Sequence, residues 1–445
     1  MRVPVRLRLL VPLGLLALAA ARPLAAQSSG FGSGDDVWEA TEPDGVAGFA
    51  GPAFVRAGWR TAVHGRATAS SGRLRASAQA TLHPGEGGFY PGEADGLSDL
   101  TRAVGFVRLE RPGTRGLYAR LGPLRRVTLG TGLVVDHYAT TAAPDDQRLG
   151  AEAELRTAAA TVRAFIGDAT GAGVAGASLR LRTGLDAPRA RNLRFGAALV
   201  HDLDLPLAGD SSFTAAEVSV SGVALDAGGG TLGPYVSAAH VLHHGSGLGI
   251  GLAASADEFS GIGRAHARLG VVVSWGRFAP GLVGAFRQVE GGRGRIVDSE
   301  TYFDDGRPAE LAGTPIDSLA GGLDLVADLG VAAFGRFEVG SHVRRHLGPG
   351  AVSAFGARVA AVAGGARLEL AVERQGFRGL LGLVGDLGEQ NTLVFDLDVP
   401  IERLGARAFV RSRYGYRRVP EADLGPDRFV IERRFEPMLG LRARL

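Results

Sequence analysis

The chain has 445 residues, 45% hydrophobic and 21% charged, with 68 glycines. That composition is too apolar for disorder and ample for burying a large apolar surface. All 49 basic residues are arginine, against 46 acids, and there is no lysine and no cysteine. A Walker A loop, a Schiff base, a pyridoxal site, a thiol nucleophile, a cysteine-ligated metal and a disulfide are therefore excluded.

In chain order, Arg2, Arg6 and Arg8 precede an apolar run from Leu9 to Ala21, and small residues lead to Gln27. This predicts a secretory signal peptide over residues 1–26. The four arginines of that leader leave 45 in the rest of the chain, against the same 46 acids. These arginines are scattered without a basic stripe, so no nucleic-acid partner is expected. Residues 27–50 are rich in Gly, Ser and acids and lack periodicity. They predict a flexible N-terminal periplasmic segment, with a lumen plug as the alternative.

From residue 51 to 445 the pattern is period two, which means strand. Between Val55 and Ala67, Arg56, Arg60, His64 and Arg66 alternate with Trp59, Thr61 and Val63. Leu74, Ala76, Ala78, Ala80 and Leu82 then oppose Arg73, Arg75, Ser77 and Gln79. The alternation returns around Glu152 and Glu154, from Ala265 to Trp275, around Arg367 and Glu369, around Asp396 and Asp398, and from Leu439 to Leu445. No apolar run after the leader is long enough to cross a membrane as a helix. Long amphipathic strands with fully charged polar faces, and no helical domain to pack on, suit a wet lumen. The fold class predicted is all-β, a single antiparallel transmembrane β-barrel. At roughly 22–26 residues per strand and connection, about 16–18 strands follow.

The breaks Pro84 to Asp99, Thr140 to Gln147 and Gly291 to Asp317 read as extracellular loops. The last holds Asp298, Glu300, Asp304, Asp305 and Glu310, an acidic constriction folded into the lumen, a weak Ca²⁺ site or a solvated surface loop, the last being favoured. His240, His243 and His244 lie near a strand end, and alternation puts only His240 and His244 on one face. They are read as a polar cluster and no metal is expected. There is no G-x-S-x-G and no H-E-x-x-H, no cofactor is implied, and an enzyme is not expected. Trp59, Trp275, Tyr118, Tyr414 and Tyr416 are the aromatics placed nearest the membrane interfaces. The stretch Arg120 to Tyr138, with its Thr-Leu-Gly-Thr-Gly-Leu-Val-Val-Asp run, looks like a family signature with no activity attached.

Through its leader, its repeated amphipathic strands and its final strand Met438 to Leu445, the chain resembles bacterial outer-membrane β-barrel proteins of the porin-like type. The resemblance implies outer-membrane lipid and the barrel-assembly machinery as partners. It implies passive passage of small hydrophilic solutes or ions, biased toward anions if Arg56, Arg60, Arg66, Arg73 and Arg75 line the lumen. Pairing of those arginines with acids elsewhere on the wall is the competing expectation. The alternative function is a closed structural, adhesive or secretion-partner barrel that acts through its extracellular loops.

Overall fold

In a computed structural model, the described residues are 37–55, 58–85, 88–90, 93, 101–111, 116–143, 147–169, 173–183, 193–202, 213–227, 230–259, 263–287, 294–297, 311–312, 321–348, 353–377, 391–419 and 427–443. The leader, residues 27–36, Arg56 and the acids Asp298, Glu300, Asp304, Asp305 and Glu310 lie outside them.

Each barrel strand pairs antiparallel with its neighbour, and the first strand, Gly45–Val55, closes the circle on the last, Asp427–Ala443. The closed ring has 20 strands, from the 6 residues of Leu117–Gly122 to the 17 of the final strand. Closure leaves no barrel edge with unpaired backbone groups, the condition for strands to stand in lipid. Three short strands, Leu225–Ala227, Gly294–Val297 and Leu311–Ala312, lie outside the ring.

Twenty strands exceed the 16–18 expected, because some strands and several connections are shorter than assumed. Gly150–Arg156 and Ala160–Ile166 have 7 residues each, and two hairpins close on the pairs Gly72–Arg73 and Gly364–Gly365. Gly364 and Gly365 have φ of 55° and 77°, which the primed two-residue turn demands and glycine supplies without strain. Another addition lies at the start. The first strand begins at Gly45, within the stretch 27–50 expected outside the barrel, and Val55 pairs with Gly58 where one continuous strand was expected.

The alternation sorts side chains as period two requires. Trp59, Val63, Leu269, Val271, Val273, Trp275, Leu439 and Leu441 are exposed on the outer face. Arg66, Glu152, Glu154, Arg367, Glu369, Asp396 and Asp398 are buried within. An apolar exterior over a charged interior is the arrangement of a barrel that stands in lipid. The short turns 72–73, 334–336 and 364–365 lie at one end with residues 37–44 and the end of the last strand. The described residues 83–85, 123–143 and 277–287, which open the long connections, lie at the other. In barrels of this class the long-loop end is extracellular.

Candidate functional site

The lumen is built around a connection that turns inward. After Leu117–Gly122, residues 123–143 enter the barrel mouth at the long-loop end, where Leu124, Leu129, Val135 and Tyr138 are almost wholly buried. Their apolar faces pack on wall residues Phe165, Val200, Ala215, Val241 and Val272, and on Phe278 and Val283 from the next long connection. Water has been excluded from this cluster, so the contact is hydrophobic and non-directional. Backbone bonds knit the two connections: the Gly281 N–H donates to Leu133 O at 3.0 Å, Val283 N–H to Val134 O at 3.0 Å, and Asp136 N–H to Val283 O at 3.1 Å. Together they form a plug.

Polar anchors fix its position. The Thr131 N–H and hydroxyl donate to Glu217 at 2.5 and 2.8 Å, and the Leu133 N–H donates to the same carboxylate at 3.1 Å. The turn needs Gly130, whose φ is 61° and where a Cβ would meet Glu217 Oε1 at 2.4 Å. Arg126 pairs with Glu338, and Arg268 donates to Asp136 at 2.9 Å. Burial opposes ionisation of Asp136, but Arg268 and His137 hold its carboxyl well below the usual range.

A second filling enters from the short-turn end. The one-turn helix Val37–Ala40 and residues 41–44 lie inside, with Val37, Trp38, Glu39 and Glu42 buried. Glu42 accepts from Arg66 at 3.0 Å, from Arg442 at 2.9 Å, and from Arg367. Burial pushes its carboxyl up, and Arg66, Arg367 and Arg442 outweigh that and lower it. Arg367 also lies over the Trp38 ring, 4.1 Å from its centroid, while Glu39 takes Arg120 at 2.5 Å. The segment expected to be a flexible periplasmic arm is thus, over residues 37–44, a lumen filling.

Polar space persists below the plug. A cavity of 190 Å³ is lined by Arg163, Arg180 and Arg194 from three consecutive strands, by His137 and Asp136 of the plug, and by hydroxyls such as Ser219 and Tyr235. Another, of 150 Å³, lies between Thr81, Arg102, Arg411, Arg413, Arg434 and Glu436. Beside it, His83 bridges Glu436 at 3.1 Å and Glu93. Burial lowers the His83 imidazole, but its bonds to Glu436 and Glu93 raise it to about 9. Burial and Glu432, to which the Tyr90 hydroxyl donates at 2.6 Å, raise the Tyr90 phenol above its ordinary value.

The arginines expected to form one basic row do not stand together. Arg66 is neutralised by Glu42, Arg75 donates to Ala40 O at 2.6 Å, and Arg60 donates to His83 O at 3.2 Å beside Tyr90. Arg73 is exposed in a turn. Trp59 and Trp275 are exposed as expected of interface residues, but Tyr414 and Tyr416 are buried, the latter among Ala142, Phe286 and Phe429. His240 bonds Ser246 at 2.8 Å, His243 sits in the turn with φ of 65°, and no metal-binding group occurs among the described residues. Sequence reasoning missed the plug's role, although the stretch Arg120 to Tyr138 had stood out.

No protein-family model and no curated protein matches the sequence. Among solved structures, the chain is similar to Pseudomonas aeruginosa OpdL, with 12% identity, 90% of this chain and 97% of that one covered, and a TM-score of 0.31. It is likewise similar to Pseudomonas aeruginosa OccK2 (OpdF), at 10% identity, 90% and 96% coverage and a TM-score of 0.32. Wzi of Escherichia coli, an outer-membrane protein described as a carbohydrate-binding β-barrel, matches at 8% identity, with 92% and 86% coverage and a TM-score of 0.37. The chain's own geometry, an antiparallel ring of 20 strands with an apolar exterior and a charged, partly filled interior, makes it a closed β-barrel of the transmembrane kind.

Proposed function

We propose that the protein is a narrow channel for small hydrophilic solutes, with residues 123–143 as its constriction. The observation that carries this reading is the charged 190 Å³ cavity under the plug. A ring of 20 strands encloses more space than its own side chains fill, and here the remaining space is lined by guanidiniums, carboxylates and hydroxyls. Arg163, Arg180 and Arg194 leave the lining net positive even with Glu154 paired to Arg163, which favours anions, and the cavity size favours small ones. Export by residues 1–26, insertion by the barrel-assembly machinery and contact with outer-membrane lipid belong to the same reading, and catalysis does not.

Conductance of the refolded protein in a planar bilayer, under a salt gradient, tests it. Small stable steps with anion preference are expected, the preference weakening in Arg163→Gln with Arg194→Gln. A folded, inserted protein that stays silent overturns it. That outcome favours the second reading, a closed barrel acting through its loops, which is supported by the apolar plug and the ionic filling around Glu42.

A further inference from the structure

The 150 Å³ cavity is walled by the end of the strand Leu74–Leu82, by Glu93 and Arg102 of the connection that follows it, and by the last two strands, Ala406–Val419 and Asp427–Ala443. One water needs about 10–15 Å³ of such space, so there is room for a molecule of several heavy atoms. Two buried polar atoms of its lining have no hydrogen-bond partner. Arg413 donates to Asp396 through Nη2 at 2.7 Å, but its Nη1 donates to nothing. Glu436 holds His83 through Oε1 at 3.1 Å, but its Oε2, on a side chain 2% exposed, accepts nothing. Arg411 stands opposite Glu436 and Arg413 opposite Arg434, so Arg413 and Glu436 are diagonal neighbours on one face of the wall, about 7–8 Å apart.

We propose that this cavity recognises a small α-hydroxy carboxylate, its carboxylate accepting from Arg413 Nη1 and its hydroxyl donating to Glu436 Oε2. A guanidinium N–H requires an acceptor and a carboxylate oxygen a donor, so the occupant carries both. The surrounding charge decides which acceptor and which donor. Arg102, Arg411, Arg413 and Arg434 line the cavity against Glu93 and Glu436. Behind them Asp396 takes Arg411 and Arg413, Glu432 takes Arg434 and Arg417, and His83 lies between Glu93 and Glu436. Among the described groups these five guanidiniums outnumber the four carboxylates before His83 is counted. That excess favours an anionic acceptor, and a carboxylate matches the planar fork of arginine. An ammonium would satisfy Glu436 Oε2 but add a cation where cations are already in excess, whereas a hydroxyl supplies the proton without charge. The small volume keeps the two groups close, on neighbouring carbons. Recognition of this kind needs no current, so it holds for an open barrel and for a closed one.

Calorimetric titration of the full chain, refolded in detergent micelles, with L-lactate, propionate, lactamide and glycine tests this. Lactate should bind saturably. Propionate, which lacks the hydroxyl, and lactamide, which lacks the charge, should each bind at least about tenfold more weakly, the discrimination that a hydrogen bond to a buried charged group gives. Arg413→Gln should abolish lactate binding, and Glu436→Gln should narrow the gap between lactate and propionate, in proteins whose far-ultraviolet circular dichroism is unchanged. Absence of lactate binding overturns the assignment, as do equal binding of lactate and propionate, tighter binding of glycine than of lactate, and lactate binding undiminished in both Arg413→Gln and Arg413→Met. The comparison of the four ligands is made on the unaltered protein, so it decides the matter even where a variant fails to fold. Failure here leaves the channel reading untouched, and a silent bilayer leaves this site untouched.

Discussion

At the long-loop end the lumen is narrowed by eighteen mutually packed apolar residues among those described, whereas at the short-turn end the single carboxylate of Glu42 gathers three guanidiniums. The first contact is spread over many side chains, so losing one leaves a cavity and the rest still hold. The second is concentrated, and removing its centre takes the shared carboxylate from three guanidiniums at once. The plug is thus the element that can shift by degrees, and the N-terminal filling the one that is either seated or not.

The sharpest test of that contrast is Glu42→Ala, expected to cost about 3–5 kcal/mol because Arg66, Arg367 and Arg442 lose their shared partner. Urea titration in detergent, following barrel unfolding, measures it. Leu129→Ala in the plug should cost less, about 2–3 kcal/mol, with the strands' own unfolding midpoint nearly unmoved. Were Leu129→Ala the more damaging, the two fillings would not differ in the way described.

Smaller effects sharpen the picture at the barrel rim. The imidazole of His83 is raised to about 9 by Glu436 and Glu93 against its burial. Its stabilisation is therefore fully present below the ordinary value of about 6.5 and is lost as pH rises through about 9. Thermal midpoints measured from pH 6 to 10 should fall on the alkaline side, and less so in His83→Phe. Smallest of all, Arg73→Ala should change stability by no more than about 0.5 kcal/mol, since the side chain is exposed in a turn. It should also leave ion selectivity unchanged, unlike the Arg163 and Arg194 pair.

The wall was legible because lipid outside and charge inside impose period two on every strand. Arg60, His64 and Arg66 were assigned to the correct face, opposite Trp59 and Val63. The number of strands was less legible, since two-residue turns such as Gly72–Arg73 leave little trace between alternating segments. The N-terminal filling was foreseen only as an alternative to a flexible arm, and the filling by residues 123–143 was not read at all. A segment surrounded by protein on all sides has no solvent face and so no period, and Leu124 to Tyr138 shows none. Part of the arginine excess on the opening strands is balanced from outside them, since Arg66 pairs with Glu42, which lies before the first strand.

Glu42 has a further consequence, for the order in which the molecule is assembled. Its three partners come from the second strand, from a strand far along the chain and from the final strand, and the first strand, which follows it directly, seals against that last one. Arg66 is within reach once the first hairpin forms, but all three guanidiniums can meet the carboxylate only after the circle has been drawn together, so the seam and the complete ionic cluster mature as one event. A chain stalled before its last strand arrives would keep residues 37–44 outside, accessible to a protease. Completion of the barrel is in this way recorded at the chain's opposite end.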